Sequence, residues 1–164
     1  MKVGISGSGR YKNKKFVIET LENTISKEHD IIVSGRSPRN KKFDEDGKKY
    51  YDNVDIWAED WANEFCQNEP IIHPANEFTR EEFYKRNKKI AIDSKELIAF
   101  INKYQYVSGS WNTIRYFIEK PNFDYDNLKI YNEYEELWHL SELPPWVRTK
   151  IKIKIKLKEY KELS

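Results

Sequence analysis

Cysteine is nearly missing from this chain: Cys66 stands alone among 164 residues. That excludes an internal disulfide and any metal site built from a cysteine cluster. Beside Phe65 on a predicted helix, Cys66 reads as a small core residue, with a reactive thiol as the functional alternative. Long apolar runs are missing too, the longest being a few residues, so no segment approaches a membrane span. The start, Met1-Lys2-Val3-Gly4-Ile5-Ser6, opens directly into a strand without the parts of a signal peptide, and a cytoplasmic protein with no membrane partner is expected. Nor is there an excess of charge. With 29 basic and 27 acidic side chains the net charge is +2, so any basic site must be local.

What is present is globular. Apolar residues make up 38% and aromatic residues 15%, which argues against disorder because disordered chains lack the bulky groups that reward folding. The length suits one domain with a real core. Lys2 to Ser6 reads as a buried strand. A helical stripe follows through Phe16, Val17, Thr20, Leu21 and Ile25, and Asp30 to Val33 is a second strand. Residues 37 to 52 are turn-rich and read as a long loop, a lid or a disordered stretch. Val54, Trp57, Ala58, Trp61, Ala62 and Phe65 recur at three- and four-residue steps and give a helix one wide apolar face. Pro70 to His73 makes a third strand, and Thr79 with Glu82 forms a capping-box signature for a helix to about Asp93. Glu96 to Phe100 is a fourth strand, a helix runs from near Trp111 to before Pro121, and Leu128 to Tyr131 is a fifth strand.

Strand and helix therefore alternate through residue 131, which implies an α/β open sheet, mainly parallel, with helices on both faces. Residues 132 to 164 read as an extension adjoining that core. Glu133 to His139 suggests a short helix ended by Pro144-Pro145. Ile151, Ile153, Ile155 and Leu157 then alternate with Lys150, Lys152, Lys154, Lys156 and Lys158, the period of a C-terminal β-strand. Its lysines suit an edge strand kept soluble, or a basic ribbon for nucleic acid, and its Ile face would suit contact in a homo-dimer.

Glycine is scarce, and its placement points to the chemistry. Four of the six, Gly7, Gly9, Gly35 and Gly109, follow predicted strands directly. In an open parallel sheet the carboxyl ends of the strands share one edge, where ligands bind in a crevice. Glycine permits close backbone approach, and helix N-termini there offer unpaired N–H groups to an anion. Ser6, Ser8, Ser34, Ser108 and Ser110 add hydroxyls, and Arg10 and Arg36 add planar forks suited to phosphate. Neither a G-x-G-x-x-G fingerprint nor a Walker lysine is present. Asp55 suits either a ribose hydroxyl or, with Asp52, a helix cap. His73, Asn76, Glu77 and Glu82 are further polar groups at this edge, and Trp111 either stacks on a base or belongs to the core. Neither a Ser/His/Asp set nor a metal-ligand cluster stands out, and no cofactor is expected.

The ordered loops resemble the SLOG superfamily, particularly its small YspA-like and YpsA-like members, a group that also includes the lonely-guy phosphoribohydrolases and DNA-processing protein A. The matching pieces are Gly7-Ser8-Gly9-Arg10, Ser34-Gly35, and Val54-Asp55 with Ala58. Arg86-Asn87-Lys88-x-Ile90 precedes Ser94 and Leu97-Ile98-Ala99-Phe100, and Ser108-Gly109-Ser110-Trp111-Asn112-Thr113 stands where the family has a phosphate loop. The resemblance covers residues 1 to 131. It implies a three-layer Rossmann-like fold, a nucleotide-like small-molecule ligand, oligomers, and binding roles for Asp55, Arg86, Asn87, Asn112 and Thr113. It also implies two other activities, hydrolysis of the N-glycosidic bond of nucleoside monophosphates and DNA binding. The phosphoribohydrolases carry a catalytic Glu three residues after the loop threonine; here that position is Tyr116.

Overall fold

The computed structural model describes residues 1–163. Elements run in the order β1 (Lys2–Gly7), α1 (Lys14–Thr24), β2 (Ile31–Ser34), β3 (Lys41–Phe43), β4 (Lys49–Tyr51), α2 (Val54–Phe65), β5 (Ile71–Ile72), α3 (Arg80–Asp93), β6 (Glu96–Phe100), α4 (Gly109–Ile118), β7 (Leu128–Tyr131) and α5 (Pro145–Leu163). Five strands form one sheet in the order β5-β2-β1-β6-β7, and every neighbouring pair in it is parallel. Counted among themselves the sheet strands lie 3-2-1-4-5, so the order reverses between β1 and β6.

Period-2 alternation divides the apolar residues of β6 between two layers. Ile98 and Phe100 pack with Val17, Leu21, Trp57 and Trp61 of α1 and α2. Leu97 and Ala99 pack with Ala91, Ile114 and Phe117 of α3 and α4 on the other face. The sheet is thus covered on both sides, as near-continuous apolar strands require. Each fully buried Val, Leu, Ile or Phe among them contributes about 1.5–3 kcal/mol relative to exposure. Two glycines let helices close on the sheet: a Cβ on Gly4 would collide with Ser94, and one on Gly7 with Val54 at the head of α2. Cys66 closes the C-terminus of α2 and packs against the first core cluster.

Three expectations need correction. Residues 37 to 52 are not a plain loop, because Lys41–Phe43 and Lys49–Tyr51 pair antiparallel around a turn at Asp44–Gly47. Asp44 accepts from the N–H groups of Asp46 and Lys48, and Gly47 takes the positive φ (78°) the turn needs. Residues 133 to 139 do not form a helix. The buried Asn132 side chain accepts from Tyr134 N–H and Glu136 N–H and reverses the chain, so that Leu137 bridges back to Tyr131.

The C-terminal Ile/Lys alternation is helix, not strand. Pro145 occupies the first helical position, where its missing N–H costs nothing. Val147 and Ile151 stand four apart and are buried in the second core cluster, with Ile155 packed against it. Alternation strands the remaining apolar groups, Ile153 and Leu157, in solvent. The β7 edge that a further strand would need is already partly taken by the returning segment, where Trp138 N–H donates to Ile130 C=O. Lys150, Lys154 and Lys158 reach Glu119, the Lys120 carbonyl and Asp124, so the extended basic ribbon does not form. No helix among the described residues is long and apolar enough to cross a membrane.

Candidate functional site

A cleft of about 800 Å³ opens at the carboxyl edge where the strand order reverses. Its floor is the end of β1 and the loop Gly7-Ser8-Gly9-Arg10. One wall is Ser108, Gly109, Ser110 and Asn112 at the N-terminus of α4. The other is Ser37, Arg39 and Asn40 with Asp55, and the first two turns of α3 close the far side.

At the floor the serine hydroxyls are spent within the protein. Ser6 Oγ and Ser110 Oγ share a hydrogen bond (2.8 Å) that ties β1 to α4, and Ser8 Oγ donates to Gln105. Ser108 caps α4 by accepting from Ser110 N–H. Backbone amides are freer: the N–H groups of Gly9 and Gly109 have no acceptor among the described residues. A Cβ on Gly109 would meet only Asn87 Nδ2, at an ordinary 3.9 Å, while Gly9 is crossed by the aliphatic stem of Arg39. An unpaired amide beside a helix N-terminus is the arrangement that holds an anion.

A strut of polar side chains spans the cleft. Arg86 Nη1 donates to the Gly35 carbonyl (2.9 Å) and Arg86 Nε to Asn87 Oδ1 (2.9 Å). Asn87 Nδ2 donates onward to the Gly109 carbonyl and to Asn112 Oδ1. The loop after β2 is thus joined through α3 to the head of α4. Arg86 uses two of its five N–H donors in this strut. Burial pulls its guanidinium below the ordinary value, opposed by Asp55 and reinforced by Arg39. Asp55, 7% exposed, lies in the first turn of α2. Burial pushes its carboxyl above the usual range, against the pull of Arg86 and of the Ser37 N–H it accepts.

Arg10, Arg39 and Arg80 also line this cleft, and none has a carboxylate within ion-pair distance among the described residues. Arg80 lies over the Tyr84 ring, and Arg86 over Phe83. Four arginines and one carboxyl make the cleft strongly positive.

Of the residues expected at the site, Gly7, Ser8, Gly9, Arg10, Asp55, Arg86, Asn87, Gly109, Ser110 and Asn112 do line the cleft. The others go elsewhere. Ser34 Oγ donates to the Asp55 carbonyl, and Gly35 supports Arg86 from behind. Arg36, at positive φ (48°), turns to clamp Glu59 through Nε and Nη2. Trp111 is core, edge-on to Trp138 with its indole N–H on the Gln105 carbonyl, and Thr113 is buried. His73 pairs with Asp93. Asn53, rather than Asp52, caps α2 by accepting from Ile56 N–H; Asp52 instead takes Lys42 and the Trp57 indole. Thr79 caps α3, but Glu82 pairs with Lys85 and completes no capping box.

Arg39, Arg80 and the Phe83-Tyr84 pair were not foreseen. Arg80 follows Thr79, so its place in the first turn of α3 was readable. Arg39 sat in a segment with no periodicity to orient it.

The layers and strand order define the class, a three-layer Rossmann-like α/β protein. Comparison with protein-family models, with curated proteins and with solved structures finds no match.

Proposed function

We propose that the protein binds a phosphorylated nucleoside or nucleotide-derived ligand in the carboxyl-edge cleft. One observation carries the reading: Arg10, Arg39 and Arg80, without acid partners, and Arg86 converge on the cleft that exposes the free Gly9 and Gly109 amides. Phosphate matches both the planar forks and the amides. Asp55, which lines the same cleft, would accept from a sugar hydroxyl. The resemblance of the loops to the SLOG superfamily supports the same reading. A panel of nucleoside mono-, di- and triphosphates and dinucleotides, followed by thermal shift, tests it. A true ligand raises Tm by an amount that grows with the logarithm of its concentration over Kd, and Arg80→Glu abolishes the shift. A flat response across the panel at millimolar ligand would exclude the class.

Hydrolysis of an N-glycosidic bond is a second reading, favoured by the raised carboxyl of Asp55 in the cleft. A carboxyl whose protonated form is favoured by burial is suited to protonating a leaving base. Incubation with nucleoside monophosphates should then release free base, and Asp55→Asn should stop it. No release from any of them across pH 5–8 sinks this reading and leaves binding intact.

A further inference from the structure

We propose that the cleft receives the terminal nucleotide of a single-stranded nucleic acid, with the β3–β4 hairpin as the ribbon on which the next nucleotides lie. The inference rests on the phosphate-binding reading of the cleft and adds the class of molecule that carries the phosphate.

The hairpin contributes nothing to either core cluster. Its register sets Lys41 opposite Tyr51 and Phe43 opposite Lys49. Alternation puts these four on one face, two lysines and two aromatic rings in a checkerboard. Lys41 Nζ lies over the Phe43 ring and Lys49 Nζ over the Tyr51 ring, at 6.0 and 5.6 Å. Phe43 is 63% exposed, so its ring is open to stacking by a base. The opposite face is tied to the body through Lys42, which pairs with Asp52. Lys41 and Lys49 have no carboxylate within ion-pair distance among the described residues.

Aromatic rings interleaved with free cations suit single strands, because unpaired bases stack on the rings while phosphates meet the lysines. The lysines of α5 lack that interleaving and are largely paired within the fold. The hairpin also rises from the cleft itself. Arg39 lines the cleft, Asn40 Nδ2 donates to the Gly9 carbonyl, and Lys41 begins the ribbon. Two residues span at most about 7 Å, roughly one nucleotide step. The acidic residues Asp44, Glu45 and Asp46 are confined to the far turn, which limits the ribbon to one or two nucleotides.

The test is fluorescence anisotropy with 3′-labelled, 5′-phosphorylated hexanucleotides of dA, dT, A and U, and the mirrored set labelled at the 5′ end with a 3′ phosphate. Unlabelled nucleoside monophosphates serve as competitors. At least one hexanucleotide should bind ten-fold or more tightly than its monophosphate. Lys41→Glu with Lys49→Glu should remove that advantage and reduce the magnitude of the log K–log salt slope by about 1.4 for two phosphate contacts. Phe43→Ala should cost about 5- to 100-fold in hexanucleotide affinity. In all these variants monophosphate binding should stay within two-fold. Monophosphate binding without any gain for the hexanucleotides, or a gain untouched by the hairpin variants, overturns the proposal and leaves the cleft reading standing. Binding of neither overturns both. Hairpin residues are exposed, and an unchanged Tm in each variant shows that the fold is intact.

Discussion

The loops after β1 and β2 carry the same residue types, glycine, serine and arginine, yet they do opposite things. After β1, Gly9 presents an unpaired amide and Arg10 an unpaired guanidinium to the cleft. After β2, the Ser34 hydroxyl, the Gly35 carbonyl and the Arg36 guanidinium are all taken by the protein. The space beside Gly35 is filled by Arg86, whose Cδ would lie 2.6 Å from an added Cβ. The first loop faces the cleft, whereas Ser34-Gly35-Arg36 of the second is the footing on which Arg86 stands. Being at a strand's carboxyl end does not make a residue part of a site; its amides and side chains must also lack internal partners.

The largest test of this contrast is reversal of the unpaired charges. Arg39→Glu with Arg80→Glu should lower nucleotide affinity 100-fold or more, about 2.7 kcal/mol, with Tm unchanged, as calorimetric titration and thermal melting will show. Next, Gly7→Ala tests the packing limit of the β1 loop. Its Cβ meets Val54 at the stiff head of α2, so a loss of about 1–3 kcal/mol is expected, read as a fall in Tm of several degrees. Gly35→Ala should act on the footing instead. The obstructing atoms belong to the long Arg86 side chain and not to backbone, so stability should change less than in Gly7→Ala while affinity falls about ten-fold, as for one lost charge-assisted contact. A large loss of stability with normal affinity would refute the division of roles.

Asp55 gives the pH test. Its folded-state value is raised by burial, so its own contribution to stability is full below the ordinary carboxylate value of about 3.9. That contribution is lost as pH rises through the elevated one. Sugar binding needs the ionised acceptor, so affinity should rise with pH over the same window, by up to ten-fold per unit, and Asp55→Asn should be flat. The smallest effect on affinity belongs to Arg36→Ala. This group pairs with Glu59, which is itself buried, so its loss should cost about 1–3 kcal/mol of stability while ligand affinity changes less than two-fold.

The core of the fold was legible because its strands and helices carry undiluted periodicity. β6 is apolar at every interior position, and α2 shows Trp57, Trp61 and Ala58 on one face. Two of the three corrected segments have a local pattern weaker than what surrounds them. The alternation over residues 150–158 is a strand pattern, but helix-favouring lysines, Pro145 and the docking of Val147 and Ile151 onto the α4 layer prevail. The hairpin at 41–51 has only three residues per strand and no buried side to reveal it.

The candidate site was legible as a set of strand-end loops, and ten of its residues do line the cleft. Which loop faces inward was not legible, since Ser34-Gly35-Arg36 and Ser8-Gly9-Arg10 are chemically alike. Arg86, reaching from α3 fifty-one residues away, together with Asp55 and Glu59 on α2, decides between them.

By itself, then, the amino-acid sequence determined the alternation of strand and helix, the parallel sheet it implies, and the edge where glycine and serine gather. These follow from local periodicity and from what glycine alone permits. Tertiary structure decided which arginines are left without partners, that Asp55 is buried beside Arg86, and that the Ile/Lys tail coils into a helix. Those outcomes depend on side chains distant in the chain competing for the same hydrogen bonds and the same covered surface, a competition no local pattern records.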